Sequence, residues 1–154
     1  MSKEFYMGFN EDIDDELKKK IYNIVEKLRG YTPIKSFQLI NDYLKETVKA
    51  IDFREDDPAL STAYAALVYK KATSEGFARA FVLILKELGI LIDSNNLAQI
   101  EKRRFYFKGM FHSFYCVNIF YNKSTYRFSP HTEKICNANM IDPTQWFSNM
   151  TCLE

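Results

Sequence analysis

Two residues of this chain, Ser74 and His112, have the types that nucleophilic catalysis needs. A serine hydroxyl attacks a carbonyl carbon when a neighbouring imidazole accepts its proton. Ser74 stands where a long apolar helix is predicted to begin, and the N-terminal end of a helix stabilises negative charge. The helix dipole is worth only about 0.3–2 kcal/mol, so it cannot activate a hydroxyl without a well-oriented base. A hydrolase that uses Ser74 and His112 as a dyad is therefore one hypothesis.

The element that must position Ser74 is a predicted buried helix over residues 74–88. Its apolar residues recur at helical spacing: Phe77, Phe81, Ile84, Leu85 and Leu88. Alanines and further aliphatic residues fill most of the remaining circumference, and a helix that is apolar nearly all round belongs inside a domain. Gly89 is predicted to end this helix with a left-handed turn, and Thr73 or Ser74 to cap its start. Gly76 would let another element approach closely.

Composition bounds the classes of protein to consider. The 154 residues predict a single domain over 1–154, with residues 1–10 extended or disordered. Apolar residues make up 47% of the chain, which is enough for a sizeable core. The net charge of +1 gives no global field that would attract nucleic acid or an acidic membrane.

The cysteines and histidines point to neither a disulfide framework nor a metal site. The three cysteines are odd in number and lack zinc-ligand spacing, and the two histidines stand apart. No cofactor and no metal are expected. The N-terminus has no signal-peptide pattern, and no apolar run is long enough to span a bilayer. We therefore expect a soluble cytoplasmic protein, although a domain cut from a secreted protein would look the same.

Helices are predicted in the first half of the chain. Residues 11–28 carry an apolar stripe with helical spacing, and Gly30 follows as a stop. Thr32 and Pro33 are predicted to start a second helix whose inner face runs as far as Ile51. A third helix is predicted from Asp57 and Pro58 through Leu67, after a polar loop over residues 52–56.

Strands are predicted in the second half. Residues 90–92 read as a short strand, and 97–102 as a helical turn. Residues 104–111 alternate in type, and 112–121 are the clearest strand because aromatic and β-branched residues dominate there. A hairpin loop over 122–124 leads to a strand over 125–129, and Asp142 resembles a helix cap. Helices followed by an antiparallel sheet predict an α+β fold with the buried helix packed on the sheet.

Several segments between Asn41 and Pro130 resemble bacterial transglutaminase-like proteins, whose core is papain-like. Residues 41–49 resemble the helix that precedes the active site of that family, and residues 63–81 resemble its nucleophile segment. His112-Ser113-Phe114 is similar to the strand that carries the family's histidine, and residues 126–130 to the strand that carries its aspartate. The resemblance covers somewhat over half of the chain in one consistent order, which is more specific than any one short motif.

The resemblance implies a catalytic set of cysteine, histidine and aspartate, which this chain matches only at His112. The cysteine position falls on Ser74 and the aspartate position on Ser129. In hydrolase triads, loss of the nucleophile costs about 10⁶ in rate and loss of the acidic member about 10⁴. The resemblance therefore predicts a degenerate triad at Ser74, His112 and Ser129. Ordinary family catalysis is not expected.

Three other residues are candidate substitutes for the missing groups. Cys116 lies four residues from His112, hence about 13 Å along one strand, which is too far for a nucleophile and its base; it is predicted to be a small core residue. His131 has no visible partner. Asn118 could orient His112 in place of the missing carboxylate.

Three functions follow as hypotheses. The first is a non-catalytic module that binds a peptide or protein segment in the former active-site cleft, with no nucleic acid and no membrane as partners. The second is a cysteine protease or acyl transferase whose nucleophile is replaced by Ser74. The third is the Ser74–His112 hydrolase. The oligomeric state does not follow from the sequence.

Overall fold

The computed structural model describes residues 13–51, 57–90, 96–107, 110–128 and 136–137, and for 103–107, 110–113 and 136–137 only the backbone. Within these described residues, three α-helices and six strands follow one another along the chain. They are α1 (Asp15–Leu28), α2 (Pro33–Thr47), β1 (Lys49–Ala50), β2 (Lys71–Ala72), α3 (Ser74–Leu88), β3 (Leu97–Phe107), β4 (Met110–Tyr121), β5 (Ser124–Phe128) and β6 (Cys136–Asn137).

The first two helices begin at capping side chains. Asp14 Oδ1 accepts a hydrogen bond from the Leu17 N–H at 2.8 Å, and Thr32 Oγ1 accepts one from the Lys35 N–H at 3.3 Å. The predicted helices over 11–28 and from Thr32 are thus confirmed in outline. The second ends at Thr47 instead of continuing toward Ile51, because the backbone turns extended and residues 49–50 pair with β2.

The predicted third helix is interrupted. Pro58–Ser61 forms a 3₁₀ turn, Thr62 is extended, and the chain is helical again from Ala63, with Ala65–Tyr69 π-helical. Thr62 Oγ1 donates to the Ala59 carbonyl at 2.7 Å and accepts from the Ala65 N–H at 3.0 Å. One side chain therefore closes the first turn and caps the second, which divides the helix.

The central helix α3 has the predicted bounds and the predicted burial. Thr73 caps its start, and Gly89 ends it in the left-handed conformation with φ 76°. Ten of its fifteen residues are buried, from Ser74 to Leu85. The helix packs against α1, α2 and β4, so it lies between the helical layer and the sheet.

Four of the strands form one antiparallel sheet in the order β3-β4-β5-β6. Residues 97–102, predicted to be a helical turn, instead begin β3 and pair in register with β4, from Leu97 opposite Phe120 onward. Asn122 and Lys123 join β4 to β5 with φ of 51° and 66°, the conformation of a two-residue type I′ hairpin. Strand β6 was not predicted. The observed architecture is α+β, as the sequence predicts.

The core lies between α3 and one face of the sheet. Phe128 of β5 stacks at 5.0 Å on Phe81 of α3, and Phe37 of α2 packs at 6.4 Å on the same Phe128 ring. These rings are among the largest fully buried side chains. Aromatic contacts therefore tie all three layers together.

Some predictions concern residues that the structure does not describe: residues 1–10, the loop 52–56, most of the strand 90–92, Ser129 with Pro130 and His131, and the cap at Asp142. Within the described residues, no helix is both long enough and apolar enough to cross a bilayer.

A hydrogen bond from Tyr64 Oη to Glu16 Oε1, 2.8 Å long, links the π-helical segment to α1. This bond is the largest cause that raises the pKa of Tyr64 to about 12, followed by burial and by the Glu16 charge. Because the folded-state pKa exceeds the ordinary 10.0, the stabilisation is complete below pH 10.0 and is lost as the pH rises toward about 12. Absorbance titration of the wild type against Tyr64→Phe should show one phenol ionising in that range. In Glu16→Gln it should ionise earlier; an ordinary pKa in the wild type would contradict the bond.

Candidate functional site

Ser74 is the first residue of α3, at the helix N-terminus that the sequence predicts. Thr73 precedes it as the capping residue, and the Thr73 hydroxyl accepts from the Gly76 N–H at 3.5 Å. Ser74 itself is 7% exposed. A nucleophile must meet its substrate, so this low exposure bears directly on what the hydroxyl can do.

The Ser74 hydroxyl faces the sheet. Its Oγ accepts a hydrogen bond of 2.9 Å from the backbone N–H of Tyr115 in β4. This bond joins residues 41 positions apart in the sequence. It gives the serine a structural role, because it ties the first residue of α3 to β4 and provides the Tyr115 N–H with an acceptor.

The Tyr115 side chain lies beside the same end of α3. Lys102 Nζ lies 6.0 Å from the centre of its ring, and Glu75 and Arg79 form an ion pair one helical turn apart. Burial is the largest cause that raises the pKa of the Tyr115 hydroxyl; the Glu75 carboxylate raises it further, and Arg79 opposes this. Tyr115 is thus a half-buried, neutral phenol next to Ser74.

The start of α3 is fixed by a second set of contacts, with the 3₁₀ turn. The Thr73 N–H donates to the Leu60 carbonyl at 2.9 Å, and the hydroxyls of Thr73 and Ser61 lie 2.9 Å apart. Gly76 allows this closeness: a Cβ at that position would lie 2.7 Å from the Thr62 carbonyl oxygen. The close approach predicted for Gly76 is confirmed. Ser74 is therefore held by the turn on one side and by β4 on the other.

The structure describes the other two predicted site residues only in part. The backbone of His112 lies in β4, opposite Phe105 and three residues before Tyr115, hence roughly 10 Å along the strand. Its side chain and the whole of Ser129 lie outside the described part. A contact between Ser74 and His112 therefore stays a prediction.

Cys116 is fully buried, as predicted for a small core residue. Its Sγ lies 3.9 Å from Asn118 Oδ1. Residues alternate between the two faces of a strand, so Cys116 and Asn118 share the face opposite to that of Val117, which packs in the core around α3. The thiol is therefore separated from Ser74 by the sheet.

Asn118 does not support the expectation that it orients His112. Its Nδ2 donates to Glu101 Oε2 at 3.0 Å, and its Oδ1 accepts from Arg127 Nε at 2.8 Å. Six strand residues separate it from His112, a distance of roughly 20 Å. The amide instead links three neighbouring strands across the outer face of the sheet.

Sequence reasoning missed the residues that surround Ser74. Tyr115 binds Ser74 through its backbone N–H, and a backbone group cannot be predicted from a pattern of side chains. The Glu75–Arg79 pair has a spacing that is common on solvated helices, so it did not stand out. Among the described residues, no three histidine, cysteine, aspartate or glutamate side chains come close enough together to hold a metal ion.

Comparisons with known proteins give one structural likeness. No protein-family model matches the sequence, and no curated protein matches it. Among solved structures, a crystal structure of a transglutaminase matches with a TM-score of 0.51 at 13% sequence identity. The match covers 80% of this chain but 35% of that chain, so the described protein spans about a third of the length of its structural neighbour. At this identity the likeness concerns the fold, and this chain has a transglutaminase-like fold.

Proposed function

We propose that this protein is a non-catalytic, transglutaminase-like module that binds a peptide or protein segment at the former active-site cleft. The observation that carries the proposal is the state of Ser74. Its side chain is almost fully buried, and its oxygen accepts the Tyr115 N–H. By the sequence resemblance, the position of the family's thiol nucleophile thus carries a side chain that holds the helix to the sheet.

The chemistry of the hydroxyl supports the same conclusion. A serine becomes a nucleophile only when a base takes its proton, and the helix dipole is too weak to replace that base. Among the described side chains, none accepts a hydrogen bond from Ser74 Oγ. The aspartate position of the family corresponds to Ser129, which cannot hold an imidazole as a carboxylate does.

The test compares the wild type with Ser74→Ala and Ser74→Cys. We expect no transfer of a fluorescent amine onto glutamine peptides and no peptide hydrolysis by the wild type or by Ser74→Ala. Ser74→Ala should lower the free energy of unfolding by about 1 kcal/mol, because the Tyr115 N–H loses its acceptor. Urea unfolding, followed by circular dichroism, measures this loss.

Two outcomes would contradict the proposal. Turnover by the wild type that disappears in Ser74→Ala would identify a serine enzyme, the Ser74–His112 hydrolase. Turnover that arises only in Ser74→Cys would favour the second hypothesis, a cysteine enzyme whose nucleophile has been replaced. In both cases the unchanged fold of each variant is checked first by its far-ultraviolet spectrum.

A further inference from the structure

An unusual concentration of positive charge lies immediately before the start of α3. Strands β1 and β2 are parallel, and their register places Lys49 directly opposite Lys71. Both side chains are exposed, and so is that of Lys70. Like charges opposite each other on neighbouring strands are destabilising. Residues from two distant parts of the sequence are thus brought together at some cost to stability.

The backbone at this place is also unfavourable for the residue it carries. Lys70 adopts the left-handed conformation, φ 60° and ψ 34°, which glycine or asparagine takes with less strain. Its N–H donates to the Ala65 carbonyl and closes the π-helical segment. Local choices that oppose stability are expected at functional places rather than at random.

An exposed aromatic ring adjoins the lysines. Tyr69 is 61% exposed, and its ring meets that of Tyr64 edge to face, with centres 5.1 Å apart. The contact restrains the Tyr69 ring while leaving most of its surface open. A fixed ring of this kind contributes contact area to a partner at low conformational cost.

The edge of β1 offers backbone groups as well. The N–H groups of Lys49 and Ile51 donate to the carbonyls of Lys70 and Ala72 across the β1–β2 pair. Since successive residues of a strand direct their N–H and C=O groups to opposite edges, those of Ala50 point away from β2. Ala50 is exposed. An extended segment can therefore add itself alongside β1.

We propose that this surface, the lysine edge (Lys49, Ala50, Tyr69, Lys70 and Lys71), binds an acidic polypeptide segment in extended form. The three ammonium groups have no carboxylate partner among the described residues, and their positive charge attracts acidic side chains on an incoming strand. The outer backbone groups of Ala50, which pair with no described residue, favour a polypeptide over a nucleic acid, and so does the net charge of +1. The inference rests on the proposed binding role, and it specifies that the bound partner is an acidic polypeptide segment.

The location fits that role. Strand β2 leads through Thr73 directly into Ser74, and a segment bound along β1 would lie two strand spacings, roughly 10 Å, from β2. Neutralising the lysines also removes the repulsion between Lys49 and Lys71, and the variants are therefore expected to fold. This makes the lysine edge testable without loss of the protein.

The experiment measures fluorescence anisotropy of a labelled ten-residue peptide that alternates Glu and Thr. We expect binding that weakens as sodium chloride is raised, and no binding of the matched peptide that alternates Gln and Thr. The triple variant Lys49→Gln/Lys70→Gln/Lys71→Gln should bind the acidic peptide about tenfold more weakly. An acidic peptide N-methylated on alternate residues should not bind, because it cannot pair with the Ala50 edge.

The matched control is Lys18→Gln/Lys19→Gln/Lys27→Gln, which removes the same charge from the exposed face of α1. It should bind the peptide like the wild type. Equal loss in both triple variants, absence of binding to the wild type, or tighter binding of a ten-residue oligothymidylate would each overturn the lysine edge. None of these outcomes bears on turnover, which alone decides whether Ser74 is catalytic.

Discussion

Replacing Gly76 with alanine is expected to lower the free energy of unfolding by about 3 kcal/mol. The added methyl group would lie 2.7 Å from the Thr62 carbonyl oxygen, and 2.9 Å from both the Leu60 oxygen and the Ala72 Cβ. Two of these three neighbours are backbone atoms, so they cannot rotate away. The first turn of α3 must shift, and the hydrogen bonds that hold Thr73 and Ser74 lengthen with it. Urea unfolding of Gly76→Ala against the wild type measures the loss.

Gly89→Ala is the control for this prediction. A Cβ at Gly89 meets nothing within 4 Å, but φ is 76°, so only the strain of the left-handed backbone is added. We expect a loss of about 1 kcal/mol there. If Gly76→Ala were no worse than Gly89→Ala, the close approach of the 3₁₀ turn to α3 would be wrong.

Replacing Asn41 with leucine is expected to raise the free energy of unfolding by about 1–3 kcal/mol. Asn41 is fully buried in α2, and among the described residues neither its Nδ2 nor its Oδ1 has a hydrogen-bond partner. Leucine has a similar shape without the polar atoms, and it increases the apolar surface beside Phe37 and Leu44 on the same face of the helix. Thermal and urea unfolding both report the gain.

Two comparisons sharpen this second prediction. Asn41→Asp should destabilise the protein, because it buries a charge where the amide already lacks partners. Asn23→Leu places the same change on the exposed face of α1 and should shift stability by less than about 0.5 kcal/mol. A loss of stability in Asn41→Leu would mean that the amide has a bonding partner in solution.

The central helix was predictable because several independent signals agree on it. Apolar residues at helical spacing, the cap at Thr73 and the stop at Gly89 all mark residues 74–88, and the structure has the same bounds. Strand β4 follows the same logic, since its alternation is strong and its residues favour strands. Where local preference and burial favour the same secondary structure, tertiary contacts do not change it.

The failures have local physical causes. The segment 97–102 is too short to show a helical period. Ala98 and Ile100 point inward and Gln99 and Glu101 lie on the other face, but this alternation favours a strand only once the segment pairs with β4. The third helix is interrupted by a single side chain, Thr62, which bonds to backbone groups on both sides of it.

The candidate site was predictable only where it depends on the helix. The position of Ser74 follows from the start of α3, whereas its bond to the Tyr115 N–H depends on how the sheet docks, which no sequence pattern encodes. The same holds for the lysine edge, because residues 49 and 71 become neighbours only through strand pairing. The position of a residue within one helix or strand can be predicted from the sequence. A contact between two elements can be identified only once the fold is known.

The bond between Ser74 and Tyr115 spans 41 residues, and it therefore closes a long loop between the helical part of the chain and the hairpin of β4 and β5. All contacts between α3 and β4 together offset the entropic cost of closing that loop. A molecule that bridges α3 and β4 from outside would bind only the folded protein, and mass action would then raise the melting temperature of the whole protein. Ser74 thus lies where the binding of such a molecule would stabilise the folded protein against unfolding.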